Sequence, residues 1–235
     1  MSGAATTVRA RDGGAIPAYL ARPAGGGSVP GIVLLPPIYG IEPVIEAIAG
    51  RWAARGFAVL ALNQFWRDPE PEVMARTDEG RARAAARGRR VDVDQLMDDV
   101  GDAVAYLRGL DGADGRVFVT GFCFGGRYAF LSAARLDVAA AAGFHPTQIG
   151  ISLDDAPRVH APLSLHFGAD DPLTPPAEIA AITAALRARD DADLVTYDGA
   201  AHNFAVPGVH GYLPAVAEAA EARMFALFGG LSAAR

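Results

Sequence analysis

The chain's only cysteine, Cys123, lies in the run VFVTGFCFGG, residues 117–126. A β-branched and aromatic stretch ends at Gly121, and a helix-forming stretch, RYAFLSAARL, begins at Arg127. That order predicts a strand, a sharp turn and a helix, with the thiol at the apex and glycines where side-chain bulk would collide. A thiol held there is lifted clear of the sheet, its thiolate is favoured by the helix N-terminus, and the next backbone N–H faces charge developing on a carbonyl oxygen. A lone cysteine is also an ordinary core residue. The glycines at 121, 125 and 126 favour a nucleophile, because a core thiol needs none of them, and they predict a partly exposed side chain.

Such a nucleophile needs a base, and the base needs an orienting carboxylate. The stretch HFGADDPLTPP, residues 166–176, places Asp170 and Asp171 just past a strand-like run. TYDGAAHNF, residues 196–204, places His202 past the next one. Taken alone, Asp171 could cap a helix and His202 could be a loop histidine. Together the three follow the nucleophile, acid, base order of α/β-hydrolases.

These blocks make the sequence similar to the dienelactone hydrolase family, a branch of the α/β-hydrolases that uses cysteine where most relatives use serine. The resemblance rests on GFCFGG at 121–126, GADDPLTP at 168–175 and GAAHNF at 199–204, and the strand end LLPPIYG and an opening hairpin extend it over nearly the whole length. It implies a mostly parallel central sheet of about 7–8 strands flanked by helices on both faces, and hydrolysis of small esters or lactones. It makes Cys123 the nucleophile, His202 the base and Asp171 the orienting acid, since Asp171 fits the pattern G-x-x-D-x-x-[VT]-P with Gly168, Thr174 and Pro175. Asp170 is then a turn or capping residue. The expected oxyanion donors are the backbone N–H groups of Phe124 and Ile38, because Pro37 has no N–H to give.

Two positions depart from the family. Pro37 stands where the best-known relatives carry a glutamate that helps ionise the thiol, so Cys123 must rely on His202 and the turn's field. Val206 stands where they carry an arginine that grips the substrate carboxylate. Arg81 or Arg83 could replace that cation, and His145, at the end of another strand-like run, could contact substrate from the same rim. Tyr39, Phe65, Trp66, Phe122, Phe124 and Phe204 flank the same loops and suit an apolar pocket wall.

Short apolar runs alternating with longer amphipathic ones position these residues. TTVRAR and AIPAYLARP, around Asp12-Gly13-Gly14, predict an antiparallel hairpin. Buried strands are expected at 30–36 and 57–62, separated by a helix over 43–55, and further strands in RVFVTG, VAAAAGF, APLSLHFGA and ADLVTYD. Helices are expected at about 91–110, 126–136, 176–189 and 212–229. The arginine-rich segment 67–90 reads as a solvated helix or a lid-like element. No linker divides the chain, so one domain is expected.

At 235 residues with a net charge of −6, the chain offers no basic field for nucleic acid or anionic membranes. Its first residues lack the apolar core of a signal peptide, and no apolar run nears the roughly 18 residues of a membrane span. One cysteine cannot form an internal disulfide, which fits a cytoplasmic setting. The histidines lack metal-ligand spacing and no glycine-rich loop has a nucleotide-binding pattern, so neither metal nor cofactor is implied. Two other functions fit parts of the sequence: a non-catalytic small-molecule-binding protein on a hydrolase scaffold, and a thiol redox protein, which would lack a resolving cysteine.

Overall fold

Asp12 closes the first turn: its Oδ1 accepts the N–H of Gly14 at 3.1 Å. Ala10 accepts from Gly13 at 2.8 Å and donates to Gly14 at 2.9 Å. The strands on either side, β1 (Ser2–Arg9) and β2 (Ala15–Arg22), therefore pair antiparallel, with Val8 opposite Ile16. The structure is a computed structural model describing residues 2–25 and 27–230. The chain divides into two compact units, residues 1–118 and 119–235, and the boundary falls inside β5 (Ala113–Phe122).

In the first unit the strand order is β1-β2-β4-β3-β5. β3 (Val29–Leu35) and β4 (Ala58–Leu62) run parallel, with Val33 opposite Leu60, while β2 pairs antiparallel with β4. Ile32 to Leu35 and Val59 to Leu62 are completely buried, as expected of strands covered on both faces. α1 (Pro43–Ala53) starts on a proline and buries Ile45, Ile48, Ala49, Trp52 and Ala53, one face of a 3.6-residue period.

Only the second half of the arginine-rich segment 67–90 forms a helix. α2 (Asp78–Arg90) is capped by Thr77, whose Oγ1 accepts the N–H of Gly80 at 3.1 Å. α3 (Val93–Arg108) is capped by Asp92, which accepts from Gln95 at 2.9 Å. Ion pairs bind the arginines around α2 to their surroundings: Arg67 to Asp99 at 2.8 Å, Arg76 to Glu42 at 2.8 Å, Arg90 to Asp68 at 2.8 Å. Hydrogen bonding from Arg90 holds the Asp68 carboxyl below the usual carboxylate range.

Arg87 is different in kind. It is completely buried, and its Nη1 donates to the carbonyls of Glu70 and Glu72, each at 2.7 Å. Its Nη2 donates to the carbonyl of Ile38 at 2.6 Å, and the guanidinium lies 4.0 Å above the Phe65 ring. Burial lowers its pKa to about 10, which leaves it charged at neutral pH.

In the second unit the order is β5-β6-β7-β8. β6 (Ala140–Phe144), β7 (Leu163–Gly168) and β8 (Ala192–Tyr197) are parallel, with Leu165 opposite both Gly143 and Leu194. α4 (Phe124–Arg135), α5 (Pro176–Leu186) and α6 (Pro214–Gly230) complete it. A 3-10 run over Ile149–Arg158 has no counterpart in the sequence expectations: it contains Pro157, and 3-10 turns lack the 3.6-residue period. Side chains hold it, Arg127 donating to Ser152 at 2.8 Å and Glu178 accepting the N–H of Gly150 at 2.9 Å. Among the described residues no helix is long and apolar enough to cross a membrane.

Replacing Arg87 by Met removes three hydrogen bonds from a charged donor to main-chain carbonyls, worth about 1.5–3 kcal/mol each. Urea denaturation of Arg87→Met should therefore show a loss of about 3 kcal/mol or more, whereas Arg83→Met, on the exposed side of α2, should stay within about 0.5 kcal/mol of the parent.

Candidate active site

β5 must turn into α4 within a single residue. Cys123, the N-cap of α4, takes φ +53 and ψ −116, a conformation that costs on the order of 1–3 kcal/mol outside glycine. The neighbouring glycines make the turn sterically feasible. A Cβ on Gly121 would overlap the carbonyl of Gly125, and one on Gly126 would lie 2.6 Å from Cβ of Pro146. The Cys123 N–H donates to Phe144 at 3.0 Å, and its carbonyl accepts from Gly126 at 3.0 Å and from Thr147 at 3.2 Å. Cys123 is 6% exposed, less than the turn had implied, since Phe122 and Phe124 on either side are buried too.

The loop after β7 carries the acid. Asp171 is 4% exposed; its Oδ1 accepts the N–H of Leu173 at 2.9 Å, and its Oδ2 accepts from Nδ1 of His202 at 2.7 Å. Asp170 is exposed, and its N–H donates to the carbonyl of Ala200 at 2.9 Å. Burial on its own would lower the His202 pKa, but hydrogen bonds with Asp171 and Cys123 outweigh it and hold the value up at about 10. Both contacts favour the protonated ring over the neutral one.

His145 is completely buried, with its ring centroid 4.7 Å from that of His202 at 71°. It also meets Phe204 at 5.5 Å and Phe122 at 5.9 Å, so two other residues singled out in the sequence gather around the ring that faces the base. Val206 is buried in the same loop as His202 and donates to Asn203 at 2.9 Å. Among the described residues no three His, Cys, Asp or Glu side chains come together as a metal site.

The candidates in the first unit have partners there. Arg76 lies 4.2 Å above the Tyr39 ring, Phe65 is buried under Arg87, and Trp66 donates to Asp99 at 2.8 Å. Arg81 pairs with Asp78 and Arg83 with Glu70, both on the exposed side of α2. Ile38 is half-buried in the loop after β3, its carbonyl held by Arg87.

The family model described as the dienelactone hydrolase family matches residues 16–232. The chain belongs to the dienelactone hydrolase family. It is 29% identical over 224 residues to a carboxymethylenebutenolidase of Pseudomonas sp. strain P51, covering 92% of this chain and 91% of the relative. With carboxymethylenebutenolidase 1 of Cupriavidus pinatubonensis the identity is 31% over 165 residues, covering 70% of each. A solved Klebsiella pneumoniae structure assigned as a dienelactone hydrolase superposes with a TM-score of 0.87 at 26% identity, covering 97% of this chain and 98% of that one. The protein is therefore a dienelactone hydrolase-like hydrolase with the α/β-hydrolase fold.

Membership in the family does not indicate which residues brace the site. Thr174 donates through Oγ1 to the carbonyl of Pro146 at 2.7 Å, and Thr147 donates to Cys123, so residues 146–147 tie the acid loop to the turn at Cys123. Thr174 is marked in the sequence only as part of the pattern around Asp171, and Thr147 acts through its backbone N–H, which leaves no mark on residue type.

In NMR titrations the His202 ring should titrate near 10 in the parent. Asp171→Asn should bring that value down by replacing a charged acceptor with a neutral one, and Asp170→Asn should leave it in place.

Proposed function

We propose that the protein hydrolyses small esters or lactones through an acyl-enzyme on Cys123, with His202 as acid and base and Asp171 as its orienting carboxylate. The observation that carries this assignment is the 2.7 Å bond from Nδ1 of His202 to Asp171, on a ring whose other partner is the cysteine at the turn. The Cys123 thiolate adds to the substrate carbonyl, and the first N–H of α4, that of Phe124, receives the oxyanion. The intermediate collapses, the C–O bond breaks, and the leaving alkoxide takes the proton of the His202 imidazolium. Neutral His202 then accepts a proton from water as the hydroxide adds to the thioester. A second collapse releases the carboxylic acid and restores the thiolate.

The substrate is a neutral ester or lactone, or one charged differently from the carboxylated dienelactone. Pro37 and Val206 replace the glutamate and arginine of the best-known relatives, and Arg81 and Arg83 already have carboxylate partners. An anionic substrate entering a protein of net charge −6 gains only what local cations return.

Two measurements test this. Cys123→Ala should abolish turnover of an aryl ester, and rapid quenching of the parent should give a covalent adduct whose mass equals the acyl group. Turnover that survives in Cys123→Ala would remove the thiol from the mechanism. Second, kcat/KM for a neutral lactone should match or exceed that for a dienelactone of similar size; a dienelactone preference above about tenfold, roughly 1.4 kcal/mol, would mean that another cation receives the carboxylate.

A further inference from the structure

Four described non-glycine residues have positive φ: Cys123, His145, Gln148 and Asn203. All lie in the second unit. Cys123 is the turn itself and Asn203 directly follows His202. His145, at φ +37, has no such obvious reason to be strained. Glycine would take this conformation freely, so strain retained at a completely buried histidine points to something its side chain does.

Its backbone is fixed on both sides. The His145 N–H donates to the carbonyl of His166 at 2.8 Å, extending the β6–β7 pairing by one residue. The next residue, Pro146, has its φ set by its ring, and its carbonyl accepts from Thr174, three residues beyond Asp171. Thr147 then donates to the carbonyl of Cys123 at 3.2 Å. Residues 145–147 are thus registered to both the acid loop and the turn. From that fixed point the His145 ring meets His202 edge to face.

The bond to Asp171 secures only one corner of the His202 ring, which can still pivot about that corner and swing Nε2 away from the sulfur. A buried ring against it blocks the pivot. We infer that His145 is a positioning residue that braces His202 between Asp171 and Cys123, in place of a substrate contact. This inference rests on the assignment of Cys123 and His202 as nucleophile and base.

The test uses the full chain with His145→Ala and His145→Phe, an aryl ester as substrate, and circular dichroism to confirm folding. His145→Ala should lower kcat by about 100-fold, the scale of a misplacement near 1 Å, with KM within about twofold. His145→Phe, which restores a flat ring, should recover most of kcat. If the alanine variant does not fold, His145→Gly, which suits φ +37, takes its place. A readout independent of turnover is the low-field proton resonance of the His202–Asp171 bond. It should be present in the parent and in His145→Phe and be broadened or lost in the variant without a ring. If the parent shows no Cys123-dependent turnover, the functional assignment fails, while this resonance still reports whether His145 braces the ring. The inference is overturned if the alanine variant raises KM and leaves kcat unchanged, if phenylalanine is as slow as alanine, or if the resonance is the same in all three.

Discussion

Residue 123 must hold a left-handed φ of +53 for β5 to run into α4 without an intervening loop, and much of the second unit serves that constraint. Gly121 and Gly126 leave space where side chains would collide, and Phe144, Gly126 and Thr147 satisfy the backbone groups of the turn. Strain of this kind persists only where the surroundings over-determine it, which this network does. The parallel pairing of β7 and β8 brings their C-terminal ends to one rim. Asp171 follows the end of β7 and His202 follows the end of β8, so residues well apart in sequence meet across 2.7 Å.

The parts legible in the sequence were those that leave a mark on residue type. The glycines around Cys123 are needed for close approach, and continuous apolar runs such as residues 32–35 are needed for strands covered on both faces. Other features leave no mark. Arg87 looks like its neighbours in an arginine-rich run, yet it is the one that goes inside, because its acceptors are main-chain carbonyls with no side-chain signature. The 3-10 run at Ile149–Arg158 is held by contacts from α4 and α5 and has no periodicity to read. His145 was recognisable as a residue on the rim of the sheet, but its positive φ and its contact with His202 belong to the folded chain alone.

His166 and His202, both in the second unit, are shifted in opposite directions. Burial takes His166 down to about 3; its ring nitrogens meet the hydroxyls of Ser164 and Tyr197 at 3.0 and 3.1 Å, and these bring no negative charge. His202 is only partly buried, and hydrogen bonds with Asp171 and Cys123 hold it up at about 10. The histidine within β7 is driven toward the neutral form by burial, whereas the one beyond β8 is drawn toward the cation by a carboxylate and a sulfur.

Arg87 joins stretches of chain that are distant in sequence: Ile38 beyond β3, Glu70 and Glu72 ahead of α2, and α2 itself. Local opening of any one of them breaks a charge-assisted bond inside the fold and exposes a cation that had been stacked on Phe65. Opening of the loop beyond β3 is therefore coupled to opening of the helix that holds it.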